Sequence, residues 1–149
     1  MEYRRAGIND IEKFVEHRIR FVTSIRSIED VALFRERTRA YIAEHIDKQD
    51  LLVFLAVEGD EIVSSCMACI FETAPLPSNL SGKSAELLNV FTVEGHRRKG
   101  HAEKLLHMML GEAKRCSVSK IVLSYTEDGR GLYEKLGFTH LDKQMTIRL

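Results

Sequence analysis

The chain is poor in several residues that usually mark special classes of protein: it has no tryptophan, two prolines and three cysteines among 149 residues. Three cysteines do not form a disulfide framework, and their odd number favours a reducing compartment, so we expect a cytoplasmic protein. Long apolar runs are also missing. The longest, residues 51–57, is too short to span a bilayer, and no apolar core follows the charged N-terminal residues. We therefore expect neither a membrane span nor a signal peptide.

The chain also has no net charge, because 22 basic side chains balance 22 acidic ones. A neutral chain has no bulk attraction to nucleic acid or to anionic lipid, so neither is expected as a partner. The composition, 44% hydrophobic and 30% charged, is ordinary for a soluble globular protein. Length and composition together predict a single domain over residues 1–149.

Apolar spacing predicts an α/β fold (α+β under a stricter definition) with a mixed, mostly antiparallel sheet of about seven strands flanked by helices. The predicted order is β-α-α-β-β-β-α-β-α-β-β, with a hairpin turn at Gly59-Asp60 and a loop at 73–83 that holds both prolines. The predicted strands are 3–6, 51–57, 62–71, 86–92, 121–125, 138–141 and 145–149, and the predicted helices start near Asp10, Asp30, Ala102 and Gly131.

A cluster of basic and imidazole side chains, residues 96–101, lies where the third of these helices begins. A helix N-terminus has unpaired N–H groups and a partial positive charge, so acidic rather than basic side chains are favourable there. The pattern therefore predicts a bound anion, most economically a phosphate group. Gly95 and Gly100 have the spacing of a P-loop, but His101 and Ala102 replace the Lys and the Ser or Thr that nucleotide hydrolysis needs.

Arg97-x-x-Gly100-x-Ala102 resembles a different motif, the pyrophosphate-binding turn of the GCN5-related N-acetyltransferase (GNAT) family. The context is similar too: a strand ends in Asn-Val-Phe-Thr at 89–92, a long helix follows, and Leu-Tyr-Glu-Lys-Leu-Gly-Phe at 132–138 resembles the family's closing signature. The resemblance implies the GNAT acyl-CoA N-acyltransferase fold. It also implies an N-acetyltransferase, in which a primary amine attacks acetyl-CoA directly in a ternary complex.

The same resemblance assigns the residues that would bind acetyl-CoA. Small residues at Gly100 and Ala102 let the backbone approach a pyrophosphate closely, while the amides from Arg98 to Glu103 point at its oxygens. The strand before the turn pairs with the pantetheine arm, and a β-bulge is the expected device that parts this strand from its neighbour. The cofactor-binding residues are thus Val90, Phe91, Thr92, Arg97, Arg98, Lys99, Gly100, His101, Ala102, Glu103 and Thr126.

Two residues are assigned to catalysis by resemblance. Tyr133 corresponds to the tyrosine that many family members place near the thioester sulfur, where its hydroxyl can protonate the departing thiolate. Glu86 precedes Arg97 by the same interval as a base glutamate of histone-modifying members, and it could accept the amine proton directly or through water. A backbone N–H near Phe91 or Thr92 would bind the oxyanion.

The chain departs from the family pattern near the tyrosine and in the turn. Thr126 and Gly129 stand where an Asn and an Ala are common, so the hydrogen bond from Thr126 to the cofactor is expected to be weak. Glu94 replaces a common proline after the strand, which leaves the exact shape of the turn open.

Cys66-x-x-Cys69 suggests a metal or redox site. On a strand, however, residues three apart face opposite sides, and no second ligand pair follows with metal-site spacing. We therefore predict no metal. The family resemblance implies acetyl-CoA as the co-substrate.

Two further functions stay open: a non-catalytic acyl-CoA-binding or sensor domain, and a nucleic-acid binder, which the zero net charge disfavours. The acceptor amine, a small molecule or a peptide, is not identified. In the family, the first two helices and the loop at 73–83 shape its cleft, where Arg20, Arg26, Glu29 and Glu72 are available to recognise a charged acceptor. An exposed final strand could also pair with its counterpart in a homodimer.

Overall fold

The computed structural model describes residues 1–149 and contains five β-strands and four α-helices. The strands are β1 (Glu2–Arg5), β2 (Leu51–Glu58), β3 (Glu61–Glu72), β4 (Lys83–Thr92) and β5 (Lys120–Leu123). The helices are α1 (Ile11–Ile25), α2 (Val31–His45), α3 (His101–Arg115) and α4 (Glu127–Lys135). None of these helices has the length and apolar character needed to cross a membrane.

The strands form one mixed sheet in the order β1-β2-β3-β4-β5. The pairs from β1 to β4 are antiparallel, whereas β4 and β5 are parallel because α3 crosses over between them. Helices α1 and α2 pack on one face of the sheet and α3 on the other, and we call these the α1–α2 face and the α3 face. Alternate residues of β2 enter the two cores: Leu51, Val53 and Leu55 on the α1–α2 face, and Leu52, Phe54 and Ala56 on the α3 face. Burial on both faces explains why β2 is a continuous apolar run.

Two acidic residues start the first two helices, as the sequence predicts. Asp30 is the N-cap of α2, and its carboxylate accepts the Leu33 amide at 2.9 Å. Asp10 precedes α1, but its carboxylate accepts the Gly7 amide at 2.8 Å and pairs with Arg4 at 2.6 Å. The Arg4 guanidinium holds the pKa of Asp10 below its usual value, and the pair ties the start of α1 to β1.

The five observed strands differ from the sequence prediction of about seven, because the segment 138–149 forms no strand. Its alternating apolar residues Met145, Ile147 and Leu149 are exposed rather than packed. Alternation alone does not make a strand, since ordering a terminal segment without burying its side chains has an entropy cost that nothing offsets.

The fourth helix is also longer than predicted, because α4 begins at Glu127 rather than near Gly131. Thr126 has an extended backbone, and its carbonyl accepts the amides of Gly129 at 2.9 Å and Arg130 at 3.1 Å. Two glycines in the first turns weaken helix propensity, which conceals this start in the sequence. At the other end, Gly137 has φ +96°, the left-handed conformation predicted for the residue that closes α4.

The loop between β3 and β4 depends on the glycine at position 82. Gly82 has φ +68°, and a Cβ at this position would lie 2.4 Å from the carbonyl oxygen of Thr73. We expect Gly82→Ala to lower the free energy of unfolding by about 2 kcal/mol, because both the left-handed backbone and the clash oppose it. Gly111→Ala is the matched control: it lies within α3 with open space around its Cβ, and should stabilise the protein by up to about 1 kcal/mol. Urea unfolding of both variants measures the two effects, and equal effects of the two would contradict this assignment.

Candidate active site

Strands β4 and β5 separate halfway along the sheet. They pair only from Ser84 to Leu87, so residues 88–92 of β4 have no strand beside them on that side. On the opposite side the register with β3 shifts, because Met67 pairs with Asn89 while Ala68 pairs with Leu87. Leu88 is therefore the extra residue of a β-bulge, as the sequence prediction expected. The separation leaves a gap whose β4 side has free backbone groups.

The turn between β4 and α3 presents a series of unpaired amides. Lys104 makes the first helical hydrogen bond, to the carbonyl of Gly100 at 3.1 Å, and the preceding amides from Arg98 to Glu103 have no acceptor in the protein. Gly100 has φ +81° and Arg98 φ +60°, so the chain is bent to point successive N–H groups outward. Such an arrangement at a helix N-terminus binds anions, phosphate groups above all.

The charges around these amides add to the positive potential. Arg97 donates from Nε to the carbonyl of Thr92 at 3.1 Å and thereby holds the turn against the end of β4. Arg98 and Lys99 are exposed and take part in no ion pair. The one acidic side chain of the first turn of α3, Glu103, is neutralised by Lys135 of α4 at 2.8 Å. From Arg97 to Glu103 the turn thus offers cations and N–H donors without an unpaired carboxylate, and the exposed Glu94 at its start is the one acidic side chain without an ion pair.

His101 contributes only its backbone to this turn. Its side chain is 7% exposed and points into the protein, where Nδ1 is 2.6 Å from the hydroxyl of Tyr3 on β1. Burial lowers the pKa of His101, so the ring is neutral near pH 7. The contact fixes the start of α3 against the edge of the sheet.

Tyr133 lies on α4 and packs against the α3 face, close to Cys66 of β3. Burial raises the pKa of Tyr133 to about 12, so its hydroxyl holds its proton at neutral pH. The ring makes an edge-to-face contact with Phe138, while the hydroxyl has no hydrogen-bond partner in the protein. Cys66 pairs with Val90 of β4, which places Tyr133 on the side of the gap lined by β4 beyond the bulge.

Glu86 lies on the other side of the sheet. It pairs with Cys69 across β3 and β4, and Cys69 packs with the α1–α2 core, so the Glu86 side chain projects from the α1–α2 face. This side chain is exposed and makes no ion pair. Glu86 still pairs with Val122 of β5, two residues before the bulge, so it lies beside the start of the gap and on the face opposite to Tyr133.

The bulge has a neighbour that the sequence analysis did not identify, Arg18 of α1. Its Nη1 donates to the carbonyl of Leu88 at 3.2 Å and lies 3.3 Å from Oδ1 of Asn89. Asn89 is 1% exposed and donates in turn to the hydroxyl of Ser65 at 2.8 Å. One signal in the sequence could have revealed Arg18, because it follows the buried Phe14 by one helical turn and so shares its face.

Several predicted residues have no side-chain partner in the protein. Thr126 is exposed at the start of α4, and its hydroxyl makes no hydrogen bond. The predicted acceptor-recognising residues Arg20, Arg26, Glu29 and Glu72 are all exposed and form no ion pair. No hydrogen bond or ion pair joins these four residues to one another or to Glu86.

The two strand cysteines do not form a joint site. Cys66 belongs to the core of the α3 face and Cys69 packs against that of the α1–α2 face, as the alternation of a strand predicts. No group of His, Cys, Asp or Glu side chains in the structure has the geometry to hold a metal ion.

His17 of α1 lies beside this site and is 4% exposed, with Nε2 lacking any hydrogen-bond partner. Its ring packs on Phe91 of β4 with centroids 5.0 Å apart. Burial lowers the pKa of His17 to about 4, from an ordinary value of 6.5. The ring is therefore neutral at physiological pH and resists protonation.

This histidine should make the protein acid-sensitive. The pKa of His17 is lower in the folded than in the unfolded protein. The free energy of unfolding is therefore at its full value above pH 6.5 and decreases as the pH falls towards 4. Between pH 7.5 and pH 5 the loss should be about 2 kcal/mol of unfolding free energy. His17→Leu removes the titrating group and keeps an apolar contact with Phe91, so its stability should fall less over this interval. Denaturant unfolding at both pH values compares the two proteins, and parallel losses would contradict the assignment to His17.

This architecture is that of an acyltransferase. The chain belongs to the Acetyltransferase (GNAT) family, whose model matches residues 15–138, and the resemblance found in the sequence is thereby confirmed. No curated protein sequence matches the chain.

Solved structures have the same fold over nearly the whole chain. A structure described as a predicted acetyltransferase with acetyl-CoA from Clostridium acetobutylicum has a TM-score of 0.90 at 25% identity, covering 99% of this chain and 95% of that chain. A GCN5-related N-acetyltransferase from Ralstonia eutropha has a TM-score of 0.85 at 23% identity, with coverage of 99% and 97%. A glucosamine-6-phosphate N-acetyltransferase from Arabidopsis thaliana has 0.74 at 19%, also with 99% and 97%. At these lower identities the last two likenesses concern the fold alone.

Proposed function

We propose that residues 1–149 form one catalytic domain that transfers an acetyl group from acetyl-CoA to a primary amine by direct attack in a ternary complex. The observation that carries this proposal is the unpaired amide series from Arg98 to Glu103, placed at the entrance of a gap between two parallel strands. Family membership supports the acyl transfer, and the geometry supports CoA as the carrier.

The residues at the turn fit the pyrophosphate of CoA. The unpaired amides would bind its oxygens, with Arg98 and Lys99 as counter-charges and Gly100 and Ala102 allowing close approach of the backbone. Beyond the bulge, the backbone of Val90, Phe91 and Thr92 would pair with the amides of the pantetheine arm. The thioester would then lie in the gap between the sides occupied by Tyr133 and Glu86.

In the reaction the amine nitrogen loses a proton and the thiolate sulfur gains one. The amine nitrogen forms a bond to the acetyl carbon, the carbon–sulfur bond breaks, and the sulfur leaves as a thiolate. In this proposal Tyr133 donates its hydroxyl proton to that thiolate, and Glu86 accepts the amine proton directly or through water. An N–H of β4 near Phe91 or Thr92 stabilises the oxyanion.

Ligand-dependent unfolding followed by an activity screen tests this function. Acetyl-CoA well above its dissociation constant should raise the melting temperature, whereas S-acetylpantetheine, which has no pyrophosphate, should have little effect. Release of free CoA is then followed with a panel of peptides, amino acids, polyamines and amino sugars. Absence of stabilisation by acetyl-CoA overturns the proposal, while stabilisation without acetylation of any amine supports a non-catalytic acyl-CoA sensor.

A further inference from the structure

Arg18 carries a positive charge that the protein leaves without a counter-ion. Six of the thirteen arginines pair with carboxylates and six others are exposed. Arg18 forms no ion pair although it is partly buried, and burial lowers the pKa of its guanidinium. A cation that is withdrawn from water without an anionic partner is unfavourable. Its isolation on the inner side of α1 therefore calls for an explanation.

The guanidinium of Arg18 also has N–H groups that make no hydrogen bond. Only Nη1 has partners, the carbonyl of Leu88 and Oδ1 of Asn89, whereas Nε and Nη2 make no hydrogen bond. Neither of these two nitrogens is among the buried polar atoms that lack a partner, so both are accessible from solvent. A guanidinium held by one nitrogen, with others open, is suited to bind a carboxylate or a phosphate group.

The position of Arg18 relates it to the acceptor rather than to CoA. Its anchor is the bulged residue Leu88, at the point where β4 leaves β5, on the α1–α2 face. The pyrophosphate-binding turn is at the far end of the same strand, and Tyr133 is on the opposite face. Glu86 shares the α1–α2 face, and both it and Arg18 lie near the thiol of Cys69. The face thus has a carboxylate and an unpaired cation beside one gap.

We propose that Arg18 binds an anionic group of the acceptor, so that the substrate is a primary amine that also contains a carboxylate or a phosphate. This inference rests on the proposed function and specifies the substrate class of the same site. The acceptor's amine would approach the thioester near Glu86 while its anionic group is held by the free edge of the guanidinium. A role in supporting the bulge alone would need no open donors and predicts no preference for anionic amines.

Matched acceptor pairs test the proposal. One pair is an α-amino acid and the amine that lacks its carboxylate, and the other is glucosamine 6-phosphate and glucosamine, so that the two pairs separate carboxylate from phosphate. The wild-type enzyme should prefer the anionic member of one pair. Arg18→Gln should raise the KM for that member by about tenfold to a hundredfold and leave kcat/KM for the neutral member and the KM for acetyl-CoA within about twofold. Arg18→Lys, which keeps the charge without the planar fork, should be intermediate.

Arg37→Gln is the control, because Arg37 is an exposed arginine of α2 with no ion pair and its replacement should change none of these constants. Binding of each amine to the CoA-bound protein, followed by thermal shift, gives a second readout that does not need turnover. Equal losses on both members of a pair, no anionic preference in the wild type, or no Arg18-dependent shift with any anionic amine each overturn the proposal. Failure of acetyl-CoA to stabilise the wild type would instead reject the proposed function itself.

Discussion

Tyr133→Phe should lower the rate of acetyl transfer by about 10²- to 10⁴-fold, the range expected when a general acid is removed. The hydroxyl has no partner in the protein, and the ring packs edge-to-face on Phe138, a contact that phenylalanine keeps. Folding and binding of acetyl-CoA should therefore change little, and the loss should fall on the chemical step. Because burial raises the pKa of Tyr133 to about 12, the proton remains available across the neutral range.

Single-turnover measurement of CoA release reports this step without interference from product release. Tyr125→Phe is the matched control, since Tyr125 is exposed and its hydroxyl contacts only His140, at 3.4 Å. A rate for Tyr133→Phe equal to that of the control would show that another group protonates the thiolate.

Ala102→Glu should weaken binding of acetyl-CoA by about 10²-fold or more while leaving the free protein as stable as before, or slightly more stable. A carboxylate at the second position of α3 repels a pyrophosphate and competes for the unpaired amides between Arg98 and Glu103. The same carboxylate is favourable towards the helix N-terminus by a few tenths of a kcal/mol. Affinity and stability are thus expected to change in opposite directions, which ordinary structural damage would not produce.

Calorimetric titration with acetyl-CoA and thermal unfolding of the free protein measure the two effects. Ala43→Glu makes the same chemical change at an exposed position of α2 and should bind acetyl-CoA like the wild type. Unchanged affinity in Ala102→Glu would place the pyrophosphate elsewhere. An equal loss of affinity in both variants would show that the change in net charge, rather than the position of the carboxylate, weakens binding.

The local structure of the candidate site was predictable where its parts are consecutive in the chain. The turn at 96–102 combines a strand end, two small residues and a helix start, and each of these is a local pattern that residue order determines. Its glycine at position 100 has the left-handed backbone that such a turn needs. The β-bulge was expected in β4 from the family resemblance, although the sequence could not assign it to Leu88, since a bulge is defined by the register of a partner strand.

Other parts depend on contacts between distant segments. A helix and two strands, α2, β2 and β3, separate Arg18 from Leu88 along the chain, and no local pattern of either segment indicates that they meet. The same holds for the C-terminal segment, whose alternation predicted a hairpin that the structure does not form. A strand forms only when it pairs with a neighbouring strand, and which sheet edge is free for that pairing is decided by the tertiary structure.

The sequence by itself determined the order of elements up to α4, the glycine-containing turn before α3 and the membership of an acyltransferase family, because propensity, apolar spacing and short motifs are properties of neighbouring residues. The tertiary structure alone decided that Glu86 and Tyr133 lie on opposite faces of the sheet, and that an arginine without a counter-ion lies at the bulge where β4 leaves β5. Those relations follow from how the strands pair and how α1 packs over β4, and the burial of two separate cores, rather than any local preference, fixes that packing.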